Sequence, residues 1–82
     1  MMEDLDILEY NKNMKIYLVS TNDKVSYDEY DAVVVIAESI EDAGTIAKEH
    51  CYNFKNNLSI EVIGIAHKNQ VRGVVLESFN AG

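Results

Sequence analysis

The chain has 82 residues, which allows one small domain, and its hydrophobic fraction of 48% excludes a disordered composition. Its 14 acidic residues outweigh 7 Lys and Arg, and the resulting net charge of −7 disfavours direct contact with a nucleic-acid backbone. The single cysteine, Cys51, excludes an internal disulfide, and no apolar run approaches the ~18 residues of a membrane span, so we expect a cytosolic protein without a membrane partner.

Residues 1–13 form an acidic leader that differs from the rest of the chain. Leu5, Ile7 and Leu8 are interleaved with carboxylates there and favour a short amphipathic helix. Met14 opens a new pattern and is an alternative start to Met1. We therefore expect a single α+β domain over residues 14–82.

Four segments of the domain have the β-branched and apolar composition of strands. The second is a nearly continuous apolar run, which is typical of a strand buried on both faces. The last two are separated by the polar stretch 67–70 and predict a hairpin. The predicted strands are Ile16–Val19, Ala32–Ala37, Ile60–Ala66 and Val71–Phe79.

One amphipathic helix is predicted between the second and third strands. Ser39 is a suitable N-cap, and Asp42 completes a pair resembling a capping box. Apolar residues then recur at spacings of three and four until about Tyr52 or Phe54. Gly44 lies inside this helix, where glycine is unfavourable, and we expect it to permit a close approach to the sheet.

The element order ββαββ predicts a four-stranded, mainly antiparallel sheet with one helix on a face. Strict alternation makes both faces apolar and therefore requires a cover for the second face. The leader, a second copy of the chain or another protein would provide it. In each strand, two apolar residues are expected on one face and two on the opposite face. The expected sets are Ile16 and Leu18 against Tyr17 and Val19, Val33 and Val35 against Val34 and Ile36, Ile60 and Val62 against Ile63 and Ile65, and Val74 and Leu76 against Val75 and Phe79.

The segment SYDEYD, residues 26–31, interleaves tyrosines and carboxylates before the most apolar strand. Its spacing does not fit a calcium loop, which needs alternating oxygen ligands around a glycine. Two interpretations remain, a solvated turn and a docking patch in which carboxylates meet Lys or Arg of a partner. The candidate partner-binding residues are Tyr27, Asp28, Glu29, Tyr30 and Asp31.

Other chemistry is weakly supported. Cys51 follows His50 on the predicted helix, where adjacent side chains diverge by about 100°, so a nucleophilic pair is disfavoured. The chain offers too few Cys and His residues for a zinc site and has no phosphate-binding loop, so we expect neither metal nor cofactor. Arg72 and Asn80 are candidate contacts for a ligand or partner, and a surface salt bridge is the alternative for Arg72.

Three segments, MKIYLVS, YDEYDAVVVIAES followed by EDA, and RGVVLESFNAG, resemble a group of short phage and prophage proteins for which no activity is established. The resemblance covers residues 14–82, and YDEYD and SFNAG are its most specific parts. It implies an accessory phage product made in a bacterial cytosol and carries over no catalytic residue.

The resemblance and the acidic charge together favour a non-enzymatic inhibitor. Small acidic phage proteins often block host defence proteins by stoichiometric binding, and anti-CRISPR proteins are an example of this class. We expect a homodimer that binds a host protein with a basic surface. The alternatives are a protein that sequesters a nucleotide signal and a virion assembly protein.

Overall fold

The computed structural model describes residues 10–26, 28–67 and 69–80. The described part contains four strands and one helix, which confirms the predicted α+β class. The predicted leader helix lies outside the described residues. The elements are β1 (Tyr10–Thr21), β2 (Glu29–Ala37), α1 (Ile40–His50), β3 (Leu58–His67) and β4 (Gly73–Asn80).

The four strands form one antiparallel sheet in the order β3-β1-β2-β4. The hairpin is therefore β1–β2 at the centre, and the predicted β3–β4 hairpin is wrong. β3 pairs with β1 and β4 pairs with β2, so these two strands are the opposite edges. His67, at the end of β3, and Gly73, at the start of β4, lie on opposite edges of the sheet, so the chain between them must cross the width of the two central strands, a distance of about 14 Å at the usual strand spacing.

The first strand begins at Tyr10, four residues before the predicted domain start at Met14. β3 continues as far as His67, and its end offers the backbone of Tyr10 a pairing partner. The boundary placed after residue 13 therefore falls inside β1. The pairing of Tyr10 with His67, which a local reading of the leader could not include, accounts for the longer strand.

The capping prediction for α1 is confirmed. The Ser39 hydroxyl accepts from the backbone N–H of Asp42 at 3.0 Å, and the Asp42 carboxylate accepts from the backbone N–H of Glu38 at 3.1 Å. The helix ends at His50, earlier than predicted, because Cys51 adopts an extended conformation. Cys51 and Phe54 remain in the core without being helical.

The core lies between the sheet and α1. Tyr17 and Val19 of β1 and Val33 and Val35 of β2 point towards the helix. The helix meets them with small residues, and a Cβ added at Gly44 would lie 3.4 Å from Ile60 Cδ1. This confirms the predicted close approach. The buried residues of the core between the sheet and the helix are Tyr17, Val19, Val33, Val35, Ala37, Ala43, Ile46, Ala47, Cys51 and Phe54.

Both edge strands contain a β-bulge that the alternation pattern did not predict. The register shifts between Val62 and Gly64 and again between Val74 and Leu76. The predictions that Ile65 opposes Val62 and that Val74 and Leu76 share a face are therefore wrong. A bulge inserts one unpaired residue and reverses the alternation beyond it.

The crossing connection is fastened to the start of the helix by Arg72. Its Nε donates to both carboxylate oxygens of Asp42, at 2.9 and 3.0 Å, and its Nη2 donates to Oδ1 at 2.6 Å. The same carboxylate caps the helix through Glu38. Asp42 thus joins the N-terminus of α1 to the segment that leads into β4.

We expect Gly44→Ala to raise the free energy of unfolding by roughly 0.5–1 kcal/mol, because alanine favours the helix and the added methyl only touches the flexible end of Ile60. Urea unfolding would measure the change. Gly44→Leu is the counterpart, which should destabilise the chain because its side chain exceeds the gap. A destabilised Gly44→Ala variant would contradict this account of the helix–sheet spacing.

The Asp42 cluster predicts a specific acid sensitivity. Its hydrogen bond with Arg72, followed by the one from the Glu38 backbone, holds the pKa of Asp42 below its ordinary 3.8. A lowered carboxylate pKa stabilises the fold above the unfolded-state pKa, and the effect disappears as pH falls through the folded-state pKa. Asp42→Asn should therefore cost about 1 kcal/mol near neutral pH and progressively less below about pH 4.

Urea unfolding of both proteins across pH 2–7 would test this prediction. Arg72→Leu should remove part of the stabilisation that Asp42 provides. The double variant should therefore lose less free energy of unfolding than the sum of the losses in the two single variants. Strictly additive losses would show that Asp42 and Arg72 act independently.

Candidate protein-binding surface

The segment 26–31 forms a turn whose conformation is fixed by its own polar groups. The backbone N–H of Ser26 donates to Glu29 Oε1 at 2.9 Å, so Glu29 closes the turn. Asp28 has a φ of +64°, a conformation that Asp tolerates better than most residues. Tyr27 lies outside the described residues.

A third bulge, at Asp31, determines where Tyr30 points. The β2–β4 register shifts between Tyr30 and Ala32. Strict alternation from Val33 would place Tyr30 on the second face, but the bulge returns it to the helix side, where it packs against the core. Asp31 is exposed at the bulge itself.

Asn53 joins the segment after the helix to the start of β2. Its Oδ1 accepts from the backbone N–H of Tyr30 at 2.8 Å, and its Nδ2 donates to the Tyr30 carbonyl at 2.8 Å. This pair of bonds holds Tyr52, the preceding residue, close to Tyr30. The two tyrosine rings meet edge to face, with centroids 5.9 Å apart.

Glu77 of β4 completes the arrangement. Its Oε1 lies 3.1 Å from His50 Nε2, and the His50 ring lies 5.4 Å from the Tyr30 ring. Burial, followed by the nearby Glu77 carboxylate, raises the pKa of the Tyr30 hydroxyl, so Tyr30 stays neutral. We call Asp28, Glu29, Tyr30, Asp31, Tyr52 and Glu77 the acidic–aromatic surface.

The acidic–aromatic surface has the chemistry to bind a cation. Tyr52 is 64% exposed and is held in place by Tyr30, so its ring is available to stack on a guanidinium or to contact an ammonium group. Asp28 and Asp31 are exposed, are close to Tyr30 in the sequence, and supply negative charge. Arginine and lysine side chains of a partner protein fit both features.

Of the five predicted partner-binding residues, the structure shows only Tyr30 in contact with Tyr52 and His50 and close to Glu77. Glu29 closes the turn through Ser26, Asp28 forms its corner, and Asp31 is exposed at the bulge. Sequence reasoning missed Tyr52, Asn53 and Glu77. Tyr30 and Asn53 are 23 positions apart, and no local pattern connects residues at that separation.

The two candidate contacts outside SYDEYD lie at opposite ends of β4. Asn80 is paired with Glu29 in the β2–β4 ladder, and so is next to the acidic–aromatic surface. Gly73, which follows Arg72, is paired with Ile36 at the other end, roughly 23 Å away along the strand. Arg72 is therefore distant from the tyrosines, and it forms the surface ion pair that was the alternative interpretation.

Cys51 has the properties of a core residue. It is fully buried, and that burial, together with the negative charge of Glu77, raises its pKa to about 11. The thiolate needed for nucleophilic attack is therefore strongly disfavoured at neutral pH.

Among residues 10–26, 28–67 and 69–80, no three His, Cys, Asp or Glu side chains are grouped so that they could hold a metal ion. The helix within those same ranges is too short and too polar to cross a membrane.

Comparison with known proteins gave no match to any family model, any curated protein or any solved structure. Function is therefore inferred from the geometry of the acidic–aromatic surface.

Replacing Asn53 tests whether its two bonds organise this surface. Asn53→Ala should lower the free energy of unfolding by about 2 kcal/mol, because both partly buried hydrogen bonds to Tyr30 are lost. Asn56→Ala is a matched control, since exposed Asn56 accepts only from Lys48 Nζ among the bonds described, and it should cost less than about 0.5 kcal/mol. Equal stability of the two variants would contradict the proposed role of Asn53.

Proposed function

We propose that this protein is a small, non-enzymatic binding module whose acidic–aromatic surface docks on a Lys- and Arg-rich surface of another protein. The observation that carries the proposal is the exposed ring of Tyr52, held edge to face against Tyr30, whose sequence neighbours Asp28 and Asp31 are exposed carboxylates. Tyrosines of this kind are frequent anchors of protein interfaces because they bury a large area at low entropic cost.

The energetic roles within the surface differ. Tyr52 would provide the desolvated contact, and Asp28 and Asp31 would provide charge-assisted hydrogen bonds. The net charge of −7 would accelerate encounter with a basic partner and would make the association rate depend on ionic strength. Glu29 and Glu77 would act mainly by fixing the turn and Tyr30, because each already accepts a bond within the chain.

Binding of this kind inhibits its partner when the basic surface is a functional one. A protein that binds nucleic acid through Lys and Arg loses that ability when an acidic module covers them. The resemblance to phage proteins favours a host defence protein as the target and a bacterial cytosol as the location. The inhibition would be stoichiometric, with one module covering one basic site.

Sequestration of a nucleotide is less well supported. That function required Arg72 and the tyrosines to hold phosphate and base together. Arg72 lies at the far end of β4, and its guanidinium is already paired with Asp42. A phosphate at Arg72 would have to displace a bidentate carboxylate that also caps α1.

Charge reversal tests the proposal directly. The tagged chain is used to capture a partner from a bacterial host lysate, and the purified partner is then titrated calorimetrically against variants. Asp28→Lys with Asp31→Lys should weaken binding at least a hundredfold, because each attractive contact becomes repulsive. Glu49→Lys with Glu61→Lys makes the same change in net charge at two exposed positions outside the surface and should weaken binding less than tenfold.

Tyr52→Ala separates the aromatic contribution from charge. It should weaken binding at least tenfold with the net charge unchanged, whereas Tyr52→Phe should retain most of the affinity. A partner bound equally well by the Asp28/Asp31 reversal and by Tyr52→Ala would show that a different surface is used, and the proposal would be abandoned.

A further inference from the structure

The edge strand β4 contributes little to the core. From Gly73 to Ser78 no residue is buried, and Val75 and Leu76 are 54% and 66% exposed. Within that stretch, Val74 is the side chain that packs against the core. The central strands β1 and β2, in contrast, carry buried valines that face the helix. Hydrophobic burial, which stabilises the centre of the sheet, therefore holds β4 only weakly.

The ladder that joins β4 to β2 is irregular. Its register shifts twice, once after Tyr30 and once after Val34, whereas the β1–β2 register runs without a shift. Each bulge leaves a residue unpaired and disrupts the ladder locally. Backbone pairing therefore also holds β4 less firmly than it holds the two central strands to each other.

Two side-chain contacts join the β4 region to α1, one near each end of the helix. Near the N-terminus, the carboxylate of Asp42 accepts from the guanidinium of Arg72, and at the C-terminus His50 Nε2 lies 3.1 Å from Glu77 Oε1. The side chains of Arg72 and Glu77 are 45% and 42% exposed, so each contact contributes only modestly to stability. We call these contacts the Arg72 clasp and the Glu77 clasp.

We propose that residues 72–80 form a detachable strap, which opens from β2 as a unit while β1, β2, β3 and α1 stay folded. Elements with few buried contacts open locally at a lower free energy than the whole domain unfolds. The two clasps connect the strap to the helix at separate points along its length. They therefore determine how often the strap opens.

Opening of the strap would dismantle part of the acidic–aromatic surface. Glu77 would leave Tyr30 and His50, and Asn80 would leave Glu29, its partner in the ladder. The surface is complete only when the strap is closed, so a bound partner would favour the closed form. This consequence rests on the proposed function, whereas the opening itself does not.

Amide hydrogen exchange of the free, ¹⁵N-labelled full chain, followed by NMR, tests the proposal without any partner. Backbone amides of β2 bond alternately to β1 and to β4, so one strand contains both the probe and its reference. The β4-facing amides should exchange at least tenfold faster than the β1-facing ones. Their rates should also stay constant in dilute urea, because local opening exposes little surface. Equal protection of the two sets would overturn the proposal, since β4 would then open only when the whole chain unfolds.

Arg72→Leu and Glu77→Ala each remove one clasp. Each should raise the exchange rate of the β4-facing amides at least fivefold relative to the β1-facing amides. The ratio of the two sets separates opening of the strap from a loss of global stability, and a circular dichroism spectrum would verify that both variants fold.

Lys48→Leu is the matched control for Arg72→Leu, because it removes the same charge from an exposed side chain of α1. Lys48 donates to Asn56 and lies on the side of the helix that faces β3, away from the strap. The ratio of the two sets of amides should stay within twofold of its value in the unmodified chain. An equal change in Lys48→Leu and Arg72→Leu would overturn the proposal, because the clasps would then have no specific effect on the strap.

Discussion

The described structure depends on one constraint, that a single helix covers a single face of a four-stranded sheet. The core can form only if α1 lies close enough for its small residues to contact the valines of β1 and β2. Ala43, Gly44 and Ala47 provide that closeness, and Asp42 fixes where the helix begins.

The central elements could be predicted from sequence because their signals are local. The β-branched run after Asp31 predicts a strand, and Ser39 with Asp42 predicts a helix cap. Each signal spans only a few residues, and both predictions are confirmed. The strand order could not be predicted in the same way. Nothing in the stretch after His67 distinguishes a tight hairpin from a crossing connection, and the ion pair that fixes the crossing joins Arg72 to a residue 30 positions earlier.

Bulges explain the remaining errors and part of the candidate site. An extra residue at Ile63, and another at Val75, reverses the alternation on each edge strand, and both positions are about half exposed. Bulged edges are also less able to pair with a strand of another chain. The bulge at Asp31 has a different consequence, since it directs Tyr30 towards His50 and Tyr52 and so creates the acidic–aromatic surface.

The candidate site was therefore only half visible in the sequence. SYDEYD marked the turn and its carboxylates, but Tyr52 and Glu77 reach it through contacts over more than 20 positions.

The most direct measurement is an NMR chemical-shift map of the ¹⁵N-labelled chain on addition of its purified protein partner at low chain concentration. The account predicts that the largest shifts fall at residues 28–31, 52–53 and 77, with little change at Leu18 and Val34. Large shifts at Leu18 and Val34 with none around Tyr52 would contradict the proposed mode of binding.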